Sequence, residues 1–201
     1  LWKNQRKNKQ DIQTDNMNKP LNQMTNKELW KLFPIIIVKH DVTWKDKYCT
    51  ERDLLVNVIG KENIVCINHI GSTAVPGLVA KPTIDILIEI KEGTDTDKLI
   101  KNIEWLGYIY SYQPDNPAPH MMFMKGYTPE GFKGQAFHVH VRYKGDWDEL
   151  NFRDYLIAHP DVAKEYGELK LLLKEKYEFN RDAYTHAKTS FIKKINAWAV
   201  K

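Results

Sequence analysis

A short apolar segment, residues 84–90, constrains the fold of this chain more than any other feature. Its sequence, IDILIEI, is rich in Ile and Leu, as is typical of an internal strand that is covered on both faces. Asp85 interrupts the run, although burying even a neutral polar group without a partner costs about 2–7 kcal/mol. Ser72, in a Gly-Ser-Thr turn, precedes Asp85 by 13 residues. A turn whose amides can cradle phosphate, followed by a carboxylate, predicts a phosphate-and-metal site.

Most of the net charge lies in the first twenty residues. Residues 1–20 hold five Lys or Arg and two Asp, so they account for three of the four net positive charges of this 201-residue chain. The nearly neutral remainder does not indicate a large nucleic-acid-binding surface. No apolar run approaches the length that spans a bilayer, and Cys49 and Cys66 belong to no CxxC motif or Cys/His cluster. We therefore expect a soluble, cytoplasmic protein with no membrane partner.

The predicted elements follow an α+β order. Residues 1–24 are rich in Asn, Lys and Gln and predict a flexible polar tail, whereas residues 25–201 predict a single domain. Helices are predicted at 25–33, 43–59 and 95–106, and strands at 35–38, 64–70, 84–90, 108–112, 121–125 and 136–143. Three apolar stripes with helical spacing, within 152–156, 162–177 and 184–198, predict a helical C-terminal third. The expected architecture is a mixed sheet flanked by helices.

Two histidines alternate on the strand predicted at 136–143. His138, His140 and Arg142 share one strand face, and apolar residues occupy the other. Two imidazoles at positions i and i+2 can meet one metal ion or one phosphate. If this strand lies beside Asp85, an Asp/His/His set results, which suits Zn, Mn, Fe or Ni, whereas Mg²⁺ prefers an all-oxygen shell. The alternative is an exposed strand face that simply carries polar residues.

The pattern around Gly71 and Asp85 closely resembles the signature of the GrpB-like family. The matching residues are His69-Ile70-Gly71-Ser72-Thr73-Ala74-Val75-Pro76-Gly77-Leu78, Ala80-Lys81-Pro82, Ile84-Asp85, Phe137-His138-Val139-His140-Val141, Phe152-Arg153-Asp154-Tyr155-Leu156, Tyr166 with Lys170, and Tyr184 with Lys188. The resemblance covers about residues 25–199 and implies the nucleotidyltransferase superfamily fold. In some bacteria a member of the family is fused to dephospho-CoA kinase.

The resemblance also implies a site chemistry, which this chain matches only in part. In the superfamily a Gly-Ser pair binds the triphosphate, and carboxylates in an Asp-x-Asp/Glu arrangement hold two Mg²⁺ ions for in-line transfer. Asp85 matches the first carboxylate, but Leu87 stands where the second should be. Glu89 is on the same strand face, about 13 Å along the strand, which is too far for it to share one ion with Asp85.

Two functions therefore stay open. In the first, the protein is an accessory or degenerate family member that binds a nucleotide or small phosphorylated metabolite at the Gly-Ser turn. In the second, it is an active transferase that depends on a divalent metal (Mg, Mn or Zn), with Asp85, His138 and His140 as catalytic and metal-binding residues. The predicted phosphate-binding residues are Gly71, Ser72, Thr73, Lys81, Arg142, Arg153 and Lys170. Among these, Arg153 and Lys170 are expected to form a cationic wall that receives an anionic group.

Overall fold

The computed structural model describes residues 19–199. The helices are α1 (Asn26–Leu32), α2 (Trp44–Ile59), α3 (Thr96–Trp105), α4 (Asp148–Ala158), α5 (Pro160–Tyr177), α6 (Arg181–Ala187) and α7 (Thr189–Ala199). The strands are β1 (Ile64–Ile70), β2 (Thr83–Ile90), β3 (Ile109–Tyr112), β4 (Met121–Thr128) and β5 (Gly131–Tyr143). Residues 1–18 of the predicted tail lie outside the described residues, and Leu21–Gln23 forms a short 3₁₀ helix.

The five strands form one mixed sheet in the order β1-β2-β5-β4-β3. The internal strands β2 and β5 are parallel, and the other neighbouring pairs are antiparallel. Together with the flanking helices and four helices after residue 147, this arrangement confirms the predicted α+β class with a helical C-terminal third. The parallel register pairs Asp85 with His138 and Leu87 with His140.

One face of the sheet carries the main hydrophobic core. The even-numbered side chains of β2 and the odd-numbered side chains of β5 pack there against α2 and α3. The fully buried members include Trp44, Leu55, Ile86, Ile103 and Val139. Alternation in β2 and β5 therefore directs Asp85, Leu87, His138 and His140 to the opposite face, as predicted from the period-two pattern.

The opposite face lies towards the C-terminal helices, which have a core of their own. Leu78 from the loop before β2 packs with Leu156 of α4, Tyr166 of α5 and Ile195 of α7. The two cores are thus separated by the sheet. None of the described helices combines the length and the apolar composition needed to cross a bilayer.

Local signals explain several element boundaries. The side chain of Thr25 accepts from the Glu28 backbone N–H while the Glu28 carboxylate accepts from the Thr25 N–H, which is the capping box that the sequence predicts for α1. Helix α2 ends at Gly60, whose φ of 87° favours glycine. Asp95 caps α3 by accepting from the Lys98 N–H.

Two predicted elements differ in the structure. Residues 35–38 do not form a strand, because Ile35 donates its N–H to Glu178 beyond α5 and only Val38 bridges to Ala80. The last apolar stripe, predicted as one helix, is divided between α6 and α7 at Lys188. Lys188 keeps right-handed helical angles (φ −84°, ψ −15°), so the apolar face continues across the break.

Candidate functional site

A cavity of about 860 Å³ lies between the sheet and the C-terminal helices. This volume is within the range of about 300–1,000 Å³ that is typical of small-molecule sites. Its floor is the polar face of β2 and β5, and the Gly-Ser turn closes one end. The predicted site residues that line it are Gly71, Ser72, Thr73, Lys81, Asp85, His138, His140, Arg142 and Lys170. The structure therefore brings nine of the ten predicted site residues together.

Gly71 lies against the carboxylate of Asp85. Its φ of 71° is in the left-handed region, and a Cβ atom at this position would lie 2.6 Å from Asp85 Oδ2. Both facts require glycine here. The turn that follows, Ser72–Ala74, is a short 3₁₀ helix. The Gly-Ser turn and the carboxylate of the next strand are thus neighbours, as the sequence predicts.

Thr73 has a different environment from Ser72. The Thr73 hydroxyl is 2.9 Å from His69 Nε2 and donates to the Thr83 carbonyl oxygen at 3.3 Å. His69 stacks on Tyr48, and burial lowers the pKa of His69 to about 4, so its imidazole is neutral. Thr73 lines the cavity, but its hydroxyl already joins the turn to β1 and β2. Its contacts are therefore those of a residue that fixes the shape of the turn.

Asp85, His138 and Tyr127 form a hydrogen-bonded chain. His138 Nδ1 is 3.1 Å from Asp85 Oδ1, and His138 Nε2 is 2.7 Å from Tyr127 Oη. Burial would raise the pKa of Asp85, but the imidazoles of His138 and His140 hold it well below its ordinary range. Burial lowers the pKa of His138 and raises that of Tyr127. The neutral imidazole therefore donates from Nδ1 to the ionised carboxylate and accepts from the tyrosine hydroxyl.

The donors at this point do not fit a two-metal centre. Leu87 offers no oxygen, and both ring nitrogens of His138 are engaged. His140 Nε2 is 4.0 Å from Asp85 Oδ1, and its Nδ1 is buried without a hydrogen-bond partner. Among residues 19–199, no three His, Cys, Asp or Glu side chains are grouped so that they could hold a metal ion. The second carboxylate that a site for two Mg²⁺ ions would need beside Asp85 is thus missing from this donor set.

The far end of the polar strand face is closed by internal pairs. Glu89 is buried and accepts from the Gly145 N–H at 3.0 Å and from Trp147 Nε1 at 3.1 Å. Arg142 donates to both carboxylate oxygens of Glu149, at 3.1 and 2.7 Å. Its guanidinium also lies 4.9 Å from the ring centroid of Trp147. Arg142 lines the cavity, but its charge is already matched by a carboxylate.

Three lysines lie near the Gly-Ser turn without a carboxylate partner. Lys170 Nζ donates to Ser72 Oγ at 2.9 Å and to the Val79 carbonyl oxygen. Lys81 Nζ and Lys188 Nζ lie 6.0 and 4.6 Å from the ring centroid of Tyr184. Within the described part of the chain, none of the three ammonium groups forms an ion pair with Asp or Glu. We call these three residues the lysine cluster.

Burial and mutual repulsion destabilise the charges of the lysine cluster. Burial, with the nearby charges of Arg181 and Lys188, lowers the pKa of Lys81 to about 7. Burial, with Lys188 and Lys81, lowers that of Lys170 to about 7 as well. The pKa of Lys188 is also lowered, mainly by burial, while Asp85 opposes the shift. An anion placed among these groups would relieve both effects.

Arg153 does not join Lys170 at the cavity. It belongs to α4, where its Nη1 donates to the His69 carbonyl oxygen at 2.9 Å and its Nε donates to Asp154 at 2.7 Å. The cations that line the cavity with Lys170 are Lys81 and Lys188 instead. Arg153 therefore braces the end of β1 from outside the cavity lining.

Two site features were not among the predicted site residues. Lys188 and Tyr184 matched the family pattern and line the cavity. A lysine on a helix is most often solvated, so the sequence did not predict Lys188 as a site residue. Tyr127 had no signal at all, because its role depends on the register of β4 against β5 and on its reach to His138.

Comparison with known proteins agrees with the motif. The sequence model of the family described as GrpB protein matches residues 34–197. The chain belongs to the GrpB family. It is 38% identical over 163 residues to a UPF0157 protein of Pseudomonas aeruginosa, covering 80% of this chain and 66% of that protein. It is 37% identical to the glutamate-rich protein GrpB of Alkalihalophilus pseudofirmus, covering 80% of this chain and 93% of that protein.

A solved structure of a GrpB protein supports the fold. The conserved protein GrpB from Enterococcus faecalis aligns with a TM-score of 0.72 at 32% identity, covering 82% of this chain and 96% of that chain. The predicted family and the predicted architecture are both confirmed. The names of these relatives state no activity. A function for this GrpB protein is therefore proposed from the geometry of its site.

Proposed function

We propose that this GrpB protein binds a nucleotide or a small phosphorylated metabolite at the Gly71–Ser72 turn, as an accessory or degenerate member of the nucleotidyltransferase-like proteins that its family resembles. The lysine cluster carries the proposal, because buried Lys170 and the partly buried Lys81 and Lys188 line the same cavity as the turn, and Lys170 donates to Ser72. Charged side chains that are buried without a partner are costly, and active sites are where proteins retain them.

The geometry of the turn supports a phosphate in particular. Ser72 Oγ already orients the Lys170 ammonium group, and the backbone at Gly71 is bare of a side chain on the side of Asp85. Backbone amides and lysine ammonium groups are common phosphate-binding groups. The cavity extends from the turn to Phe152 and Ile192, so apolar walls are available for the rest of a ligand.

The test is isothermal titration calorimetry with ATP, GTP, CTP, UTP and inorganic pyrophosphate, each measured with EDTA and with Mg²⁺. Saturable binding of at least one probe is expected. Gly71→Ala should weaken it by about tenfold or more, because the new Cβ would displace Asp85 and strain a positive φ. Gly77→Ala is the matched control, since Gly77 has a φ of 75° but nothing within 4 Å of an added Cβ. Absence of binding for every probe in both buffers would contradict the proposal.

A second function, nucleotidyl or phosphoryl transfer, is supported by the state of Asp85. Its carboxylate is held ionised by His138 and His140 and lies against the turn. A carboxylate in this position can orient an acceptor hydroxyl group by accepting its hydrogen bond. No step is assigned to a metal ion here, because the donor set for a two-metal centre is incomplete. Release of pyrophosphate from a nucleoside triphosphate, lost in Asp85→Asn, would favour transfer over binding alone.

A further inference from the structure

We infer that the site binds its polyphosphate as the free anion, with Lys81, Lys170 and Lys188 supplying the positive charge that divalent cations supply in two-metal transferases. The inference rests on the proposed function and deepens it, because it specifies the charge state of the ligand. It is carried by two independent observations. The oxygen donors that a metal site would need beyond Asp85 are missing or engaged, and the cations of an anion site are present and form no ion pair with Asp or Glu.

Three positions on the polar face of β2 and β5 disfavour a metal ion. Leu87 is fully buried and occupies the place between Asp85 and Glu89. The Glu89 carboxylate is turned to the loop at 145–147, where two donors bind its Oε1. His138 is held between Asp85 and Tyr127. A metal ion at Asp85 would therefore find no second carboxylate, and His138 could bind it only by giving up a hydrogen bond to Asp85 or to Tyr127.

Charge balance in the cavity favours an anion. Lys170 donates to Ser72 of the turn, Lys81 and Lys188 lie at the ring of Tyr184 in the same cavity, and Asp85 is the carboxylate that acts on Lys81 and Lys188. The other acidic residues that line the cavity, Asp146, Asp148 and Glu149, lie near its far end, and Glu149 is paired with Arg142. The turn end of the cavity thus has an excess of positive charge. A ligand with several negative charges would balance it without an added cation.

The two arrangements predict opposite effects of magnesium. In a two-metal site, Mg²⁺ joins the phosphates to the carboxylates, so it increases nucleotide affinity. In this site, Mg²⁺ would neutralise part of the charge that the lysines attract, so it should decrease affinity. A free triphosphate and a free pyrophosphate should bind more tightly than their magnesium complexes.

The experiment is titration calorimetry of the full chain with ATP and with pyrophosphate, in EDTA and then in saturating Mg²⁺. We expect Mg²⁺ to raise the Kd by about threefold or more for both probes. Lys188→Gln should raise the Kd by about tenfold in EDTA, because it removes one charge-assisted contact. Lys164→Gln is the control, since Lys164 is on α5 with its side chain 80% exposed and should leave the Kd unchanged. Binding that requires Mg²⁺ would overturn the inference while leaving the proposed function in place.

Asp85→Asn gives a second test whose sign separates the two arrangements. Asparagine keeps an oxygen that can accept from His138 Nδ1, so circular dichroism and melting should show an intact fold. If Asp85 held a metal ion for the ligand, the variant would bind ATP more weakly in Mg²⁺. In the arrangement inferred here, removal of a negative charge beside the anion tightens binding of free ATP in EDTA, by about threefold. Weaker binding of free ATP by a folded Asp85→Asn protein would refute the inference.

Discussion

The two faces of the central sheet both bury charged side chains, but they do so in different ways. On the face towards α2, Glu51 is 6% exposed and accepts from Tyr108 Oη at 3.0 Å and from Lys125 Nζ at 2.8 Å. The Lys125 ammonium group also lies 5.2 Å from the ring centroid of Tyr108. One acid and one base are therefore matched, with a hydroxyl that completes the contacts. On the face towards the C-terminal helices, the lysine cluster has no such match.

On the proposed function, this difference distinguishes charged side chains that stabilise the fold from charged side chains that bind a ligand. A matched buried pair is self-sufficient, and loss of one partner leaves the other without compensation. An unmatched cluster lowers the stability of the free protein, and a bound anion would offset that loss. If the proposed function holds, the same sheet carries a structural ion pair on one side and an anion site on the other. Three predictions test this comparison.

The largest expected effect is on the matched face. Glu51→Ala leaves the Lys125 ammonium group and the Tyr108 hydroxyl without their shared acceptor, and it should lower the free energy of unfolding by about 3 kcal/mol. Urea denaturation followed by circular dichroism measures the loss. Glu51→Gln keeps an acceptor oxygen and should lose less. ATP or pyrophosphate binding by the folded fraction should be unchanged, since Glu51 is on the other side of the sheet. A loss below about 1 kcal/mol would show that the pair is not structural.

The sequence was most informative for features that a single strand or helix determines. Period-two alternation placed His138 and His140 on one face, and the apolar run around Asp85 identified an internal strand. The capping box at Thr25 and the glycine at 60 predicted helix ends because capping depends on a few consecutive residues. Such signals are local, so they survive in a single sequence.

The sequence was least informative where several distant elements meet. Lys188 and Lys81 meet because both lie at the ring of Tyr184, and the contact between Tyr184 and Lys81 spans about half of the chain. Arg153 was predicted to face the ligand together with Lys170, but it donates to the His69 carbonyl oxygen at the end of β1 instead. Glu51 gave no signal of burial, since its partners lie on β4 and beside β3. Charge partners of this kind depend on topology rather than on local pattern.

The second prediction concerns pH and has opposite signs for binding and for stability. Burial lowers the pKa of Lys81 and Lys170 to about 7, from an ordinary value of 10.5. An anion favours the charged lysines, so affinity for free ATP should fall by about tenfold between about pH 7.5 and about pH 9, a range in which the terminal phosphate (second pKa about 6) is already ionised. Three other charges act on these lysines. Those of Arg181 and Asp85 stay constant over this range, and Lys188 loses its positive charge as Lys81 and Lys170 do.

The stability of the ligand-free protein should change the other way. Between about pH 7 and about pH 10 the unfolded chain binds more protons at these lysines than the folded chain, so the contribution of both groups to the free energy of unfolding rises with pH. Urea titrations across this range measure the trend, and calorimetry in buffers of different ionisation enthalpy measures proton uptake on binding. An affinity that is constant across the range would contradict the unpaired state of the cluster.

The smallest expected effect compares one substitution on the two faces. Lys81→Met removes a partly buried ammonium group that has no ion pair, so it should raise the free energy of unfolding by about 1 kcal/mol while it weakens phosphate binding. Lys125→Met removes the partner of buried Glu51 and should instead lower the free energy of unfolding, with no change in binding. Methionine fills a similar volume in both places, so the sign of the change reports charge balance rather than packing. If both variants lost stability to the same extent, the lysine cluster would have a structural role that its contacts do not reveal, and the contrast between the two faces would fail. Opposite signs would show that the cavity face keeps its lysines at the expense of stability, as a site built for an anion does.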